Sequence, residues 1–175
     1  MLAIIESEFQ SAGLPAEIAA AAMINAYHES RLNPLAKAGA AGEDSVGLFQ
    51  LNARGAGHGM ATAARQDPVL NTQRIIEVVK GSQGRALLAA HAAGERSVAQ
   101  FSRLFAQHVE RCAACGYQSG SGELDRRAAT SRQWFPGDHA SYSLLAVSNP
   151  WLWLPMVTVA VVGGALGLRW YLQSR

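Results

Sequence analysis

Charged side chains are scarce in this 175-residue chain: 16% of residues are Asp, Glu, Lys or Arg, against 49% hydrophobic. A chain so apolar can bury a core, which excludes a disordered polymer. The scarcity is uneven, because no charged side chain occurs between His139 and Leu168. The basic excess is small as well. Fifteen Lys and Arg face thirteen Asp and Glu, a net charge of +2. That balance gives no footing for nucleic-acid binding; it merely suits an anionic partner. Cysteine is limited to Cys112 and Cys115. A single CxxC is compatible with a redox pair, half a zinc site or two incidental thiols. There is no second CxxC, His108 would bring the ligands only to three, and no thioredoxin-like strand precedes the pair. No metal or other cofactor is expected, and a local disulfide would require an oxidising compartment.

The length fits one domain of ordinary size with a modest appendage, and no internal repeat is visible. The N-terminus lacks the pattern of a signal peptide: Glu6 and Glu8 interrupt the apolar run, and no Lys or Arg precedes it. Leu2, Ile5 and Phe9 recur at helical spacing and predict an amphipathic helix ending near Gly13. Pro15 suits the first turn of a second, alanine-rich helix, with Ile18, Ala22 and Tyr27 on its buried side and Pro34 beyond its end. Ala36 to Ser45 is expected to be an irregular loop or small hairpin, and Gly55, Gly57 and Gly59 a flexible stretch. Asp67-Pro68 opens the next helix, with Leu70, Ile75, Ile76, Val78 and Val79 as its core residues up to Gly81. Further helices are expected over Ala86–Ala93, Ser97 to about Cys112, and Arg126–Trp134, with a polar loop at Ser119–Gly122. The fold class is therefore mainly α over residues 1–136, with at most a small hairpin.

Residues 137–150 read as a linker. From Trp151 to Leu168 there are eighteen uncharged, mostly apolar residues, closed by Arg169. At about 1.5 Å per residue the steps from Trp151 to Trp170 span roughly 28 Å, close to a bilayer core of about 30 Å. Trp151, Trp153, Trp170 and Tyr171 lie at the ends of this run, where amphipathic rings are stable in a membrane interface. One C-terminal transmembrane helix over residues 151–168, with a short tail over 169–175, is the expectation. Gly163 and Gly167 form a GxxxG, a possible helix–helix dimer contact. Arg169 and Arg175 favour the tail on the cytoplasmic side or the equivalent face of a virion membrane, with the domain opposite.

Two short stretches carry the chemistry. Ala26-Tyr27-His28-Glu29-Ser30-Arg31-Leu32-Asn33-Pro34 closes the alanine-rich helix with a carboxylate. Ser45-Val46-Gly47-Leu48-Phe49-Gln50-Leu51-Asn52 is a small-residue turn able to bring backbone amides and one glutamine to the same place. Burial in a cleft and the partial negative charge of a helix C-terminus would both favour a protonated glutamate, as a general acid requires.

Glu-Ser-x-x-Asn-Pro followed by Gly-Leu-Phe-Gln resembles the signature of the lysozyme-like lytic transglycosylases, the superfamily of soluble lytic transglycosylases and goose-type lysozymes. The resemblance covers roughly Leu14 to Ser97; the stretch Phe105–Arg111 and Arg126-Arg127 add a weak likeness to phage-associated members. It implies a lysozyme-like fold and cleavage of the β-1,4 glycan of peptidoglycan. By that resemblance Glu29 protonates the leaving oxygen and then takes the proton of the sugar's 6-hydroxyl, closing a 1,6-anhydro ring. Ser30 helps orient Glu29, and Gly47, Phe49 and Gln50 line the sugar groove, with Leu48 packing in the core. Asp67-Pro68-x-x-Asn71 is similar to the helix start that follows the groove, which adds Asn71 to the substrate-binding set. Leu88-Ala89-Ala90-His91-Ala92-Ala93-Gly94 lies where the family has Ala-Tyr-Asn-Ala-Gly. There His91 stands at the tyrosine position and Ala92 at the asparagine position, a departure that leaves the role of His91 open between groove and scaffold. Two other readings stay open: a hydrolase using Glu43 or Asp44 as second carboxylate, and a structural membrane protein that binds glycan without cutting it. The implied partners are a peptidoglycan strand and a lipid membrane, as for a membrane-anchored phage lysis or entry protein.

Overall fold

The computed structural model describes residues 1–38, 42–110 and 122–141. These form a mainly helical domain with one small two-stranded sheet. Its axis is α2 (Ala16–Ser30). Ala19, Ala20, Ala21, Ala22, Ile24 and Ala26 are fully buried, so this helix is apolar on nearly every side. A helix of that kind belongs inside a core. The alanines let its neighbours approach closely: α1 (Leu2–Ser11), α6 (Val98–Leu104) and α7 (Gly122–Trp134) all pack on it. Ile5 and Phe9 of α1 and Phe101 of α6 contribute fully buried side chains to that shell.

Helix α2 ends at Ser30 because Arg31 and Leu32 turn left-handed, at φ 55° and 62°. The Arg31 amide caps the helix on the Tyr27 carbonyl at 2.9 Å, and the Arg31 guanidinium lies 4.5 Å from the centre of the Tyr27 ring. Pro34 comes later and plays no part in the stop.

The strands lie somewhat later in the chain than expected. β1 (Ser45–Val46) pairs antiparallel with β2 (Leu51–Asn52), with Ser45 opposite Asn52 and Val46 opposite Leu51. Gly47-Leu48-Phe49-Gln50 is thus the turn of the hairpin; of the 36–45 segment, Ser45 opens β1 and Lys37 adds a bridge to Val46. After the glycine-rich stretch comes a short helix, α3 (Thr62–Gln66), which the sequence did not announce. α4 (Pro68–Lys80) starts where the sequence placed it. Asp67 accepts from the amides of Val69 and Leu70, both at 2.9 Å, and Pro68 occupies the first turn. Leu70, expected in the core, is instead 44% exposed. The buried stripe of α4 begins with two polar residues, Asn71 and Thr72, before Ile75, Ile76 and Val79, and this turns Leu70 outward.

α5 (Arg85–Ala92) matches its expected span. The long helix expected from Ser97 does not stay α-helical: α6 passes at Phe105 into a π-helical segment, Phe105–Glu110. α7 begins at Gly122, four residues before the expected start, and so includes Glu123 and Asp125. Beyond α7 the chain folds back onto α6. Asp138 accepts from the Ser97 hydroxyl and, at 2.8 Å, from the Ala99 amide, so the domain's own contacts run past Pro136. Among the described residues no helix is long and apolar enough to cross a membrane. The expected transmembrane helix, its GxxxG and the two cysteines lie outside the described residues.

The Asp67 cap gives a stability prediction. Asp67→Ala removes the acceptor for two amides and should lower the unfolding free energy by about 1 kcal/mol, read from urea denaturation.

Candidate active site

Glu29 stands one residue before the end of α2, with its side chain 23% exposed. Its Oε1 accepts a 2.6 Å hydrogen bond from Nη2 of Arg127 on α7. Arg127 is almost wholly buried, with a side chain 3% exposed. Nε donates to Glu123 Oε1 at 3.0 Å, and Nη1 donates to Glu110 Oε2 at 2.6 Å and to Asn25 Oδ1. Four of the five N–H bonds of the guanidinium therefore have named acceptors. Asn25 lies one helical turn before Glu29 on the same face of α2, and Glu123 one turn before Arg127 on α7. Helical spacing alone thus aims both pairs at each other. Glu110 comes from the end of the π-helical segment.

Three carboxyl groups converge on Arg127, with Arg126 also bound to Glu123, and the buried part of the cluster does not hold the excess negative charge. Glu110 resolves the imbalance. Burial pushes its carboxyl up to about 8; Arg127 opposes that shift and the Glu29 charge adds to it. Near neutral pH it is an acid. Glu123 moves the other way. Burial alone would raise it, but Arg127 and Arg126 outweigh burial and hold it below the usual carboxylate range. His28 lies on the same side, 2.9 Å through Nε2 from the Thr130 hydroxyl, and burial and then Arg127 lower its pKa.

Glu110 also faces a cavity of about 590 Å³. Phe49, Gln50 and Asn52 of the hairpin, Arg74 and Glu77 of α4, and Glu110 are among the residues that line it. The hairpin turn is fixed from below. Gly47 has φ 87°, and a side chain there would lie 2.1 Å from the Arg65 carbonyl and 2.3 Å from Asn71 Nδ2, so no other residue fits. Asn71 Oδ1 accepts from the Phe49 amide at 3.1 Å, and its Nδ2 donates to the Arg65 carbonyl at 2.5 Å. Asn71 is fully buried and holds the turn from within the core. Phe49 is buried too, its ring 6.2 Å from that of Phe105. Gln50 lines the cavity, while its amide nitrogen donates to the carbonyls of Gly47 at 2.9 Å and Ala36 at 3.2 Å.

The remaining residues singled out in the sequence lie elsewhere. The Ser30 hydroxyl donates to the Ala26 carbonyl of its own helix at 2.9 Å and is buried. His91 Nε2 is 3.7 Å from Glu17, in the first turn of α2. Glu17 and Glu29 are twelve residues apart on that helix, about 18 Å along its axis. Asp44 gives both carboxylate oxygens to Arg65 Nη2, at 3.0 and 2.9 Å, and Glu43 accepts from the Ser45 hydroxyl at 3.0 Å. No group of His, Cys, Asp and Glu suited to a metal ion occurs among the described residues.

Arg127 and Glu110 are the residues that sequence reasoning missed. A signal for Arg127 exists: it falls on the stripe Arg127, Ala128, Ser131, Trp134, the buried side of α7, with Glu123 one turn earlier. Beginning that helix at Arg126 cut Glu123 off and hid the pairing. Glu110 had no comparable signal, because it is the π-helical segment that carries it into the site.

Two measurements test the cluster. Arg127→Met would leave buried carboxyl groups without their cation and should cost about 3–5 kcal/mol of stability, read by denaturant titration. Glu110 has a folded pKa raised above its ordinary 4.5. Its contribution to stability is therefore complete below that value and is lost as pH rises through about 8. The stability of the wild type relative to Glu110→Gln should fall across that window, by at most about 1.4 kcal/mol per pH unit.

Comparison with known proteins returns no match among protein-family models, curated proteins or solved structures.

Proposed function

We infer that the protein is a membrane-anchored, lysozyme-like lytic transglycosylase that cleaves the MurNAc-GlcNAc β-1,4 bond of peptidoglycan and leaves a 1,6-anhydro end, in the service of phage entry or lysis. The observation that carries this reading is the setting of Glu29. It is the tip of a fully packed helix and is tied through Arg127 to a protonated carboxyl that lines the cavity under the Gly47–Gln50 turn. In this reading a glycan strand lies along that turn, and Glu29 passes a proton to the leaving oxygen. The C1–O bond breaks with its electron pair on that oxygen. The sugar's own 6-hydroxyl then attacks C1 and returns its proton to Glu29, so no second carboxylate need face the bond from the other side. Asp44 is not among the residues that line the cavity, which supports this over a hydrolase built on Asp44. Glu110 does not supply the missing hydrolytic partner either. It binds the same guanidinium as Glu29, whereas a base or nucleophile must work across the scissile bond.

The membrane anchor in this reading rests on residues 151–168 of the sequence, with the domain facing the wall and the GxxxG of Gly163 and Gly167 as a possible dimer contact. Mass spectrometry of a peptidoglycan digest tests the chemistry. The expected products carry 1,6-anhydro ends, and reducing ends alone would assign the protein to the hydrolases. Glu29→Gln should lower the cleavage rate by about 10²- to 10⁴-fold with glycan binding retained. An unchanged rate in that variant would instead support a protein that binds glycan without cutting it.

A further inference from the structure

Glu110 has one oxygen that Arg127 does not explain. Oε2 accepts from Arg127, but Oε1 is fully buried and has no hydrogen-bond partner among the described residues. The Glu110 side chain as a whole is 5% exposed. A carboxylate oxygen sealed in this way would forfeit its hydration for nothing. A protonated oxygen is a donor, and an acceptor lies next to it: Glu29 is bound to the neighbouring nitrogen of the same guanidinium. The other charged groups around the cluster do not take this role. Glu123 is paired with Arg126 and Arg127, and His28 sits on Glu123 and Thr130. On the cavity side Arg74 and Glu77 pair with each other at 2.9 Å.

We propose that Glu110 is a positioning residue that holds a proton for Glu29, so that the acid of the site is a carboxyl pair clamped by Arg127. This deepens the transglycosylase reading and rests on it. At rest the proton sits on Glu110 and is shared with Glu29. As the glycosidic bond opens, the proton moves to Glu29 and from there to the leaving oxygen, while Glu110 becomes a carboxylate paired with Arg127. The proton that the 6-hydroxyl gives up returns to Glu29 and then to Glu110. One proton enters the pair and one leaves, and no other reactant is consumed. In this arrangement the proton that Glu29 hands to the leaving oxygen comes from a carboxyl held on the same guanidinium.

The test is infrared difference spectroscopy of the full-length protein in detergent micelles as a function of pH, beside the pH profile of cleavage. The wild type should show the carbonyl band of a protonated carboxyl at pH 7, fading around pH 8. Glu110→Gln keeps the shape and an acceptor for Arg127 but cannot titrate, so the band should be lost. Glu29→Gln keeps Glu110 and removes its charged neighbour, so the fading should move to lower pH. In the cleavage assay Glu110→Gln should draw the alkaline limb to lower pH and reduce kcat with KM little changed. A band that survives Glu110→Gln would overturn the proposal, as would a midpoint that Glu29→Gln leaves in place. The Glu29→Gln arm decides the matter if Glu110→Gln fails to fold. A wild type without glycan cleavage would remove the functional reading, while the infrared arms would still report whether the two carboxyls share a proton.

Discussion

Burying the guanidinium of Arg127 constrains the candidate site more than any other interaction in the molecule. An unpaired guanidinium at 3% exposure would be untenable, so four acceptors must converge on it from three parts of the chain. Asn25 and Glu29 fix the rotation of α2, Glu123 fixes the start of α7, and Glu110 fixes the end of the π-helical segment. These are the segments that meet around the cluster, so its geometry and their packing are one problem. Burial, with the Glu29 charge beside it, favours a proton on the innermost of these carboxyls, Glu110.

The hairpin obeys a second constraint of the same kind. Arg65 is buried behind it and donates to Asp44 and to the carbonyl of Leu51, while Asn71 supports the Phe49 amide. Two buried cations thus brace the two motifs, Arg65 behind the hairpin and Arg127 behind the end of α2. Phe49 of the hairpin turn and Phe105 and Val109 of the π-helical segment belong to the same apolar core, with the Phe49 and Phe105 rings 6.2 Å apart.

The sequence was most legible where local chemistry acts alone. Asp67-Pro68 announces α4 because a cap and a first-turn proline need no distant partner. The alanine run of α2, ending in a glutamate, likewise locates the helix and its polar tip. Legibility failed where a distant residue decides. Leu70 was assigned to the core by apolar count, yet the stripe of α4 starts with Asn71 because the hairpin needs an amide there. The strands fell at 45–52 and not within 36–45 because their register is set by what lies beneath Gly47. Ser30 bonds to its own helix, and His91, whose role the sequence left open between groove and scaffold, lies beside Glu17, near the other end of α2 from Glu29. Arg127 and Glu110, the residues that complete the cluster, lie in the part of the chain where the motif likeness was weakest.

The change from α6 to a π-helical segment makes the two carboxyls mechanically unequal. Glu29 rides on a rod packed against its neighbours along its whole length, and close-packed interiors deform little. Glu110 ends a wider helical turn that lines the open cavity, in a winding less regular than that of the α-helix. Of the two carboxyls, Glu110 is the one that lines the cavity, so a ligand there meets the π-helical side of the pair. Whatever touches that wall reaches Glu29 through Glu110 and the guanidinium of Arg127 that both carboxyls share.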